Sequence, residues 1–104
     1  MTWTLLFRPE IENDIVEASN WYESKQLNLG REFLKEISVV WDSLQINPLL
    51  NSRKHPIKNM RWRYPERFPY RIIYEVDEVK NTVLVIAVLH AARHDRIWKS
   101  LRVE

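Results

Sequence analysis

The sequence predicts an α+β domain in which a helical hairpin packs on one face of a mainly antiparallel sheet. Three observations carry this. Two helical periodicities follow one another early in the chain, and three strand-like stretches follow them. A short polar turn then joins the last two strands into a hairpin. The order is strand, helix, helix, strand, strand, strand, with a short C-terminal helix.

Trp3–Arg8 is a short apolar run that reads as the first strand. Pro9 suits the first turn of a helix, where its missing N–H costs nothing, and Glu10, Glu12 and Asp14 favour the helix dipole. Ile11, Ile15, Ala18 and Tyr22 then fall on one face of a helix reaching about Lys25. Gln26–Gly30 reads as a loop, and it holds the only glycine of the chain. Phe33, Leu34, Ile37, Val40, Trp41 and Leu44 repeat with the helical period, and Asn47-Pro48 closes the second helix. So short a connection makes the two helices an antiparallel hairpin.

Leu49–Lys58 has Pro56, scattered charge and no period, so it reads as loop. Met60–Tyr64 alternates, which predicts a half-buried strand presenting Arg61 and Arg63 on its polar face. Tyr70–Val76 alternates too, with Tyr70, Ile72, Tyr74 and Val76 on one face and Arg71, Ile73 and Glu75 on the other. Thr82–Leu89 is a continuous aliphatic run, as expected of a central strand covered on both sides. The polar stretch Asp77–Asn81 joins these two strands. Asp95–Val103 gives a short terminal helix with Ile97, Trp98 and Leu101 on one stripe, and Asp95 as its cap. The sheet face away from the helices is expected to be the more open one, with Arg61, Arg63 and Arg71 on it.

With 104 residues the chain makes one domain, 1–104. Without cysteine it has no disulfide framework and no thiolate metal site, which fits a reducing compartment. The three histidines are scattered and no carboxylates show ligand spacing, so neither a metal nor another cofactor is expected. No stretch approaches the roughly 18 apolar residues of a membrane span, and no signal-peptide pattern opens the chain. The expected location is the cytoplasm. The net charge of +2 conceals a segregation. Residues 1–51 hold four Lys and Arg against eight Asp and Glu, a balance of −4, whereas residues 52–104 hold twelve against six, a balance of +6. The second half therefore suits an acidic or polyanionic partner, although a solvated basic surface would have the same composition.

Several residues resemble one known family when taken in order. They are Phe7, Pro9, Asp14-Ile15, Glu17-Ala18 and Trp21-Tyr22-Glu23, then Leu29-Gly30, Phe33-Leu34, Glu36-Ile37 and Asn47-Pro48. Phe68-Pro69-Tyr70-Arg71-Ile72, Tyr74 and Ala87-Val88-Leu89-His90 follow, and then Arg93 and Trp98. No single piece is specific, but in this order and spacing they resemble the RelE/ParE superfamily of bacterial type II toxins, the plasmid-stabilisation proteins. The resemblance implies the same strand–helix–helix–strands layout and a cognate antitoxin that wraps and neutralises the toxin. RelE-like members cleave mRNA on the ribosome, and ParE-like members poison DNA gyrase.

For mRNA cleavage the resemblance points to Arg71 and Arg93 at the phosphate, and the imidazole of His90 is of the kind that serves as base or acid near neutral pH. Trp98 falls about where RNA-cleaving relatives place a functional tyrosine, and indole has no transferable proton at such pH. The ending of Leu89-His90 followed by Arg93, Asp95 and Trp98 looks more like the ParE side. The expectation is a growth-arresting gyrase binder, with ribosome-dependent endoribonuclease as the alternative and an inactive antitoxin-binding relative as a second one. Arg61, Arg63, Trp62 and Trp98 are the expected binding residues. Blander readings stand beside these: Arg71 solvated or paired with Glu75, His90 a hydrogen-bonded strand-end histidine, His55 and His94 on the surface, Tyr70 and Tyr74 in the core. Arg71 and His90 share a sheet face only if their strands pair with an odd residue-number sum, such as 71 opposite 88.

Overall fold

In the computed structural model, residues 2–50 and 52–90 are described. Seven elements follow in order: β1 (Thr4–Phe7), α1 (Glu10–Lys25), α2 (Leu29–Ile46), β2 (Arg53–Lys54), β3 (Arg61–Arg63), β4 (Tyr70–Asp77) and β5 (Thr82–His90). The strands form one sheet in the order β1-β5-β4-β3-β2, antiparallel throughout except that β1 runs parallel to β5. Both helices lie on one face, as the periodicities require. The predicted terminal helix, with Asp95 and His94, lies outside the described residues.

The helical hairpin is tighter than the sequence suggests. Gln26–Gly30 was expected to be loop, but α2 already starts at Leu29, so Gly30 is helical. Two features allow the short turn. Asn28 takes the left-handed conformation with φ 70°, which asparagine tolerates better than most residues. The Glu23 carboxylate then accepts hydrogen bonds from the backbone N–H groups of Asn28 and Gly30 at 2.9 and 3.0 Å, satisfying donors at the start of α2. The helices approach so closely here that a Cβ on Gly30 would lie 2.5 Å from the Ser19 carbonyl oxygen. Ile11, Ala18 and Tyr22 of α1 are buried, as are Phe33, Ile37, Val40 and Leu44 of α2. Asn47 ends α2 in an extended conformation before Pro48, as its steric restriction demands.

The segment expected to be a loop after α2 contains the two-residue edge strand β2, which pairs Arg53 with Trp62 and Lys54 with Arg61. Two residues show too little periodicity to be read from sequence. The Asp77 carboxylate caps the β4–β5 turn, accepting from the N–H groups of Val79 and Lys80 at 3.0 Å, and Asn81 supplies a positive φ of 59°.

The uninterrupted run Thr82–Leu89 has a specific cause. On β4 the pairing is Ile73 with Ala87 and then Tyr74 with Val85, leaving Ile86 as an extra residue in a β-bulge. The bulge shifts the alternation of β5 by one. Val83, Val85 and Val88 join the main core beneath the helices, whereas Ile86 and Ala87 join a second cluster on the other face with Met60 and Ile73. The main core is rich in aromatic rings: Tyr22, Phe33, Phe68 and Tyr70 meet with centroids 4.8–6.1 Å apart. Arg67 holds the preceding loop to α2 through Glu36 and, at 2.8 Å, Glu32. Tyr74, fully buried, donates its hydroxyl proton to the Pro48 carbonyl at 2.7 Å.

Two outcomes follow. Gly30→Ala adds helix propensity of about 1 kcal/mol, but its methyl meets a backbone carbonyl that cannot retreat without separating the helices. A net loss of roughly 1–2 kcal/mol in urea unfolding is expected. Burial, then the nearby Tyr70, raises the Tyr22 pKa above 10.0. The folded state therefore holds this proton more tightly than the unfolded chain. The stability is present in full below pH about 10 and lost as pH rises through the higher folded value. Tyr22→Phe should flatten that alkaline decline in stability measured against pH.

Candidate functional site

Register decides which side chains can act together. β3 pairs with β4 as Arg61 with Tyr74, Trp62 with Ile73 and Arg63 with Ile72. Residues directly opposite one another share a face, and Tyr74 and Ile72 face the helices. Arg61 and Arg63 therefore lie on the helix side, not on the open face where alternation alone had put them. Arg63 is 8% exposed. Its guanidinium donates to the Ser43 hydroxyl and the Asn47 carbonyl, each at 2.5 Å, and to the Leu50 carbonyl. It caps the carbonyl end of α2, where the helix dipole favours a cation. Arg61 is half-buried and donates to the Ser52 hydroxyl at 3.2 Å.

Arg71 lies on the opposite face, and the three arginines thus do not form one basic patch. That face is also less open than expected, because Met60, Ile73, Ile86 and Ala87 are buried on it. The Arg71 guanidinium carbon sits 5.7 Å from the centre of the Trp62 ring and 5.6 Å from that of Tyr64. Each such contact is worth about 0.5–1 kcal/mol at an exposed site and more when desolvated. Its Nε is buried with no hydrogen-bond partner among the described residues. The expected alternative of a pair with Glu75 is not seen among the described residues. Trp62 and Tyr64, at alternate positions of the predicted strand Met60–Tyr64, are thus the two rings that flank Arg71.

His90 stands opposite Tyr70, and Arg71 stands opposite Leu89. This is an even pairing, so Arg71 and His90 point to opposite faces of the sheet. The His90 ring meets the Tyr70 ring edge-on at 5.2 Å. Both border a cavity of about 520 Å³ together with Asp14, Glu17 and Trp21 of α1. The cavity is acidic and aromatic, which is the wrong charge for a phosphate. Asp14 had been read as a helix-dipole partner and, like Glu17, as part of the family resemblance; neither was placed beside His90, because nothing in the sequence brings α1 to the end of β5. Arg93 and Trp98 lie outside the described residues. Among the described residues there is no group of three His, Cys, Asp or Glu that could hold a metal ion, and no helix is long and apolar enough to cross a membrane.

A family model described as the ParE toxin of the type II toxin–antitoxin system parDE matches residues 5–95. The chain belongs to the ParE toxin family. It is the toxin of a type II toxin–antitoxin system. Solved structures agree at the level of fold. The chromosomal ParDE system of P. aeruginosa aligns with TM-score 0.66 and 15% identity, covering 85% of this chain and 95% of that one. The RelBE2 toxin–antitoxin complex of Mycobacterium tuberculosis aligns with TM-score 0.59 and 18% identity over 86% and 99%. A mutant of the E. coli toxin RelE with a peptide of antitoxin RelB aligns with TM-score 0.57 and 22% identity over 96% and 95%. No curated protein matches the chain. This toxin thus shares its fold with both ParE and RelE proteins.

Arg63 and Arg71 of the toxin should separate in a stability measurement. Arg63→Met leaves a hydroxyl and two carbonyls without their donor, at about 1–3 kcal/mol for each buried group. Arg71→Ala removes two ring contacts and should cost at most about 2 kcal/mol. Urea unfolding of both variants is expected to rank Arg63→Met as much the more damaging.

Proposed function

We propose that this ParE-family toxin arrests growth by binding DNA gyrase, without catalysing a reaction of its own. One observation carries the reading. A ribonuclease needs a base, an acid and a phosphate-binding cation around one reacting group, and Arg71 and His90 stand on opposite faces of the sheet. The match to the ParE model over residues 5–95 supports the same side. Trp98, where an ionisable tyrosine would serve RNA cleavage, agrees with it. The acting form is a single cytoplasmic domain, held in check by a cognate antitoxin whose acidic, amphipathic segment docks on the basic half of the chain. Arg61 and Arg71, both half-buried and on opposite faces of the sheet, are the candidates for that contact. Arg63 is withdrawn from it because its guanidinium is committed to the end of α2.

A second reading is kept by the geometry of Arg71 alone. A guanidinium flanked by two rings, with no ion pair among the described residues, is suited to a phosphate beside a stacked base. In that case Arg71, with Arg93 and without His90, would serve a ribosome-dependent endoribonuclease.

Induction of the toxin alone in a bacterial host, with growth, mRNA 5′ ends and plasmid supercoiling followed together, tests these readings. The expected result is growth arrest with intact mRNA and trapped gyrase–DNA complexes, unchanged in His90→Ala. Codon-phased mRNA cuts that disappear in Arg71→Ala would overturn the gyrase reading. Normal growth with all three readouts unchanged would leave antitoxin binding as the sole role.

A further inference from the structure

The two edges of the sheet are treated differently. At one end β2 is two residues long, and both, Arg53 and Lys54, are exposed and charged. Short length and positive charge are the usual protection of an edge against pairing with another chain. At the other end β1 has four residues, Thr4–Phe7, none of them charged, and Leu6 and Phe7 are 48% and 46% exposed. Among the described residues this edge carries no such protection.

Its hydrogen-bonding groups can be assigned. Thr4 N–H donates to Asn81 O at 3.1 Å and Arg8 N–H to Val85 O at 3.2 Å, so the even-numbered residues turn their polar groups toward β5. The odd-numbered residues turn theirs outward. Trp3 N–H is used up by the Gln45 carbonyl of α2 at 2.9 Å. Pro9 has no N–H to offer. The outward donors therefore reduce to the N–H groups of Leu5 and Phe7, two residues placed symmetrically about Leu6, each with its own C=O beside it.

We propose that this edge pairs with the same edge of a second copy of the chain, antiparallel about a two-fold axis at Leu6. Leu5 then exchanges both hydrogen bonds with Phe7 of the copy, and Phe7 with its Leu5. Four bonds form and no outward N–H is left over. The two Leu6 side chains meet as a close non-hydrogen-bonded pair on the face away from the helices. No charge lies between residues 3 and 7 to repel a copy. Arg8, the nearest charge, comes opposite Thr4 of the other molecule rather than its own counterpart. The rim of an apolar groove of about 440 Å³, containing Phe7, Val16 and Trp41, borders the seam. So short an edge belongs to the small-area class of interfaces, so the dimer is a dissociating one. The inference is independent of which cellular target the toxin has.

The natural chain contains no cysteine, which gives a direct test. In Leu6→Cys the two Cα atoms across the axis would be about 4.5 Å apart, within the span of a disulfide. In Thr4→Cys, on the same face, they would be roughly 14 Å apart along the strands. Mild oxidation of the purified chain should convert Leu6→Cys, and not Thr4→Cys, to a covalent dimer. Leu6→Asp should shift the sedimentation of the otherwise native chain toward monomer, and circular dichroism of this exposed-site variant should show an intact fold. Equal cross-linking of the two cysteine variants, or none in either, overturns the proposal whatever oligomer the chain forms.

Discussion

The pairing of β4 with β5 is the constraint on which the other features depend. It is the longest ladder of the sheet, and the extra residue Ile86 divides it into two registers. On one side of the bulge Val83 and Val85 face the helices, and beyond it Val88 and His90 do. The bulge therefore feeds two cores from one strand. It also sends His90 to the helix side while Arg71, one position further along its own strand than the partner of His90, faces away. Had the ladder kept the register of its Thr82 end as far as Arg71, His90 and Arg71 would have shared a face. A single inserted residue thus separates the two side chains whose union would suggest acid–base chemistry at a phosphate.

The arginines of β3 and β4 show how far environment outweighs residue type. Arg63 is buried without a carboxylate, yet it is stabilised by a hydroxyl and two carbonyls at the negative end of a helix. It anchors α2 to the sheet. Arg71 is stabilised by the faces of two rings, which leave much of its hydrogen-bonding capacity unspent. The first arrangement consumes a guanidinium, and the second presents one. That difference is why Arg71 remains of interest for binding and Arg63 does not.

The helical hairpin depends on close approach in the same way. Gly30 brings α2 within contact of Ser19, and Glu23 supplies from α1 the acceptor that the start of α2 lacks in its own Asn28 side chain. At its far end α2 contributes carbonyls both to Trp3 at the edge of the sheet and to the pocket of Arg63 through Asn47. One helix thus ties β1 to β3 across the strands between them. The acidic cavity at the end of β5 has a related origin, since α1 crosses that strand and carries Asp14, Glu17 and Trp21 to the rim beside His90.

Much of this was legible in the residues. The helices, the three longer strands and the β4–β5 turn follow from periodicity and turn chemistry, because burying one face of a helix or strand imposes a repeat on the sequence. The ordered motif Phe68-Pro69-Tyr70-Arg71-Ile72 followed by Ala87-Val88-Leu89-His90 sufficed to indicate the toxin family. The facing of Arg61 and Arg63 was not legible, since alternation says that two residues share a side but not which layer that side meets. Nor was the bulge at Ile86, because a run of aliphatic residues has no polar positions to mark a change of register. The separation of Arg71 from His90, the capping role of Arg63 and the ring stack on Arg71 all follow from strand register, and register is a property of two strands together.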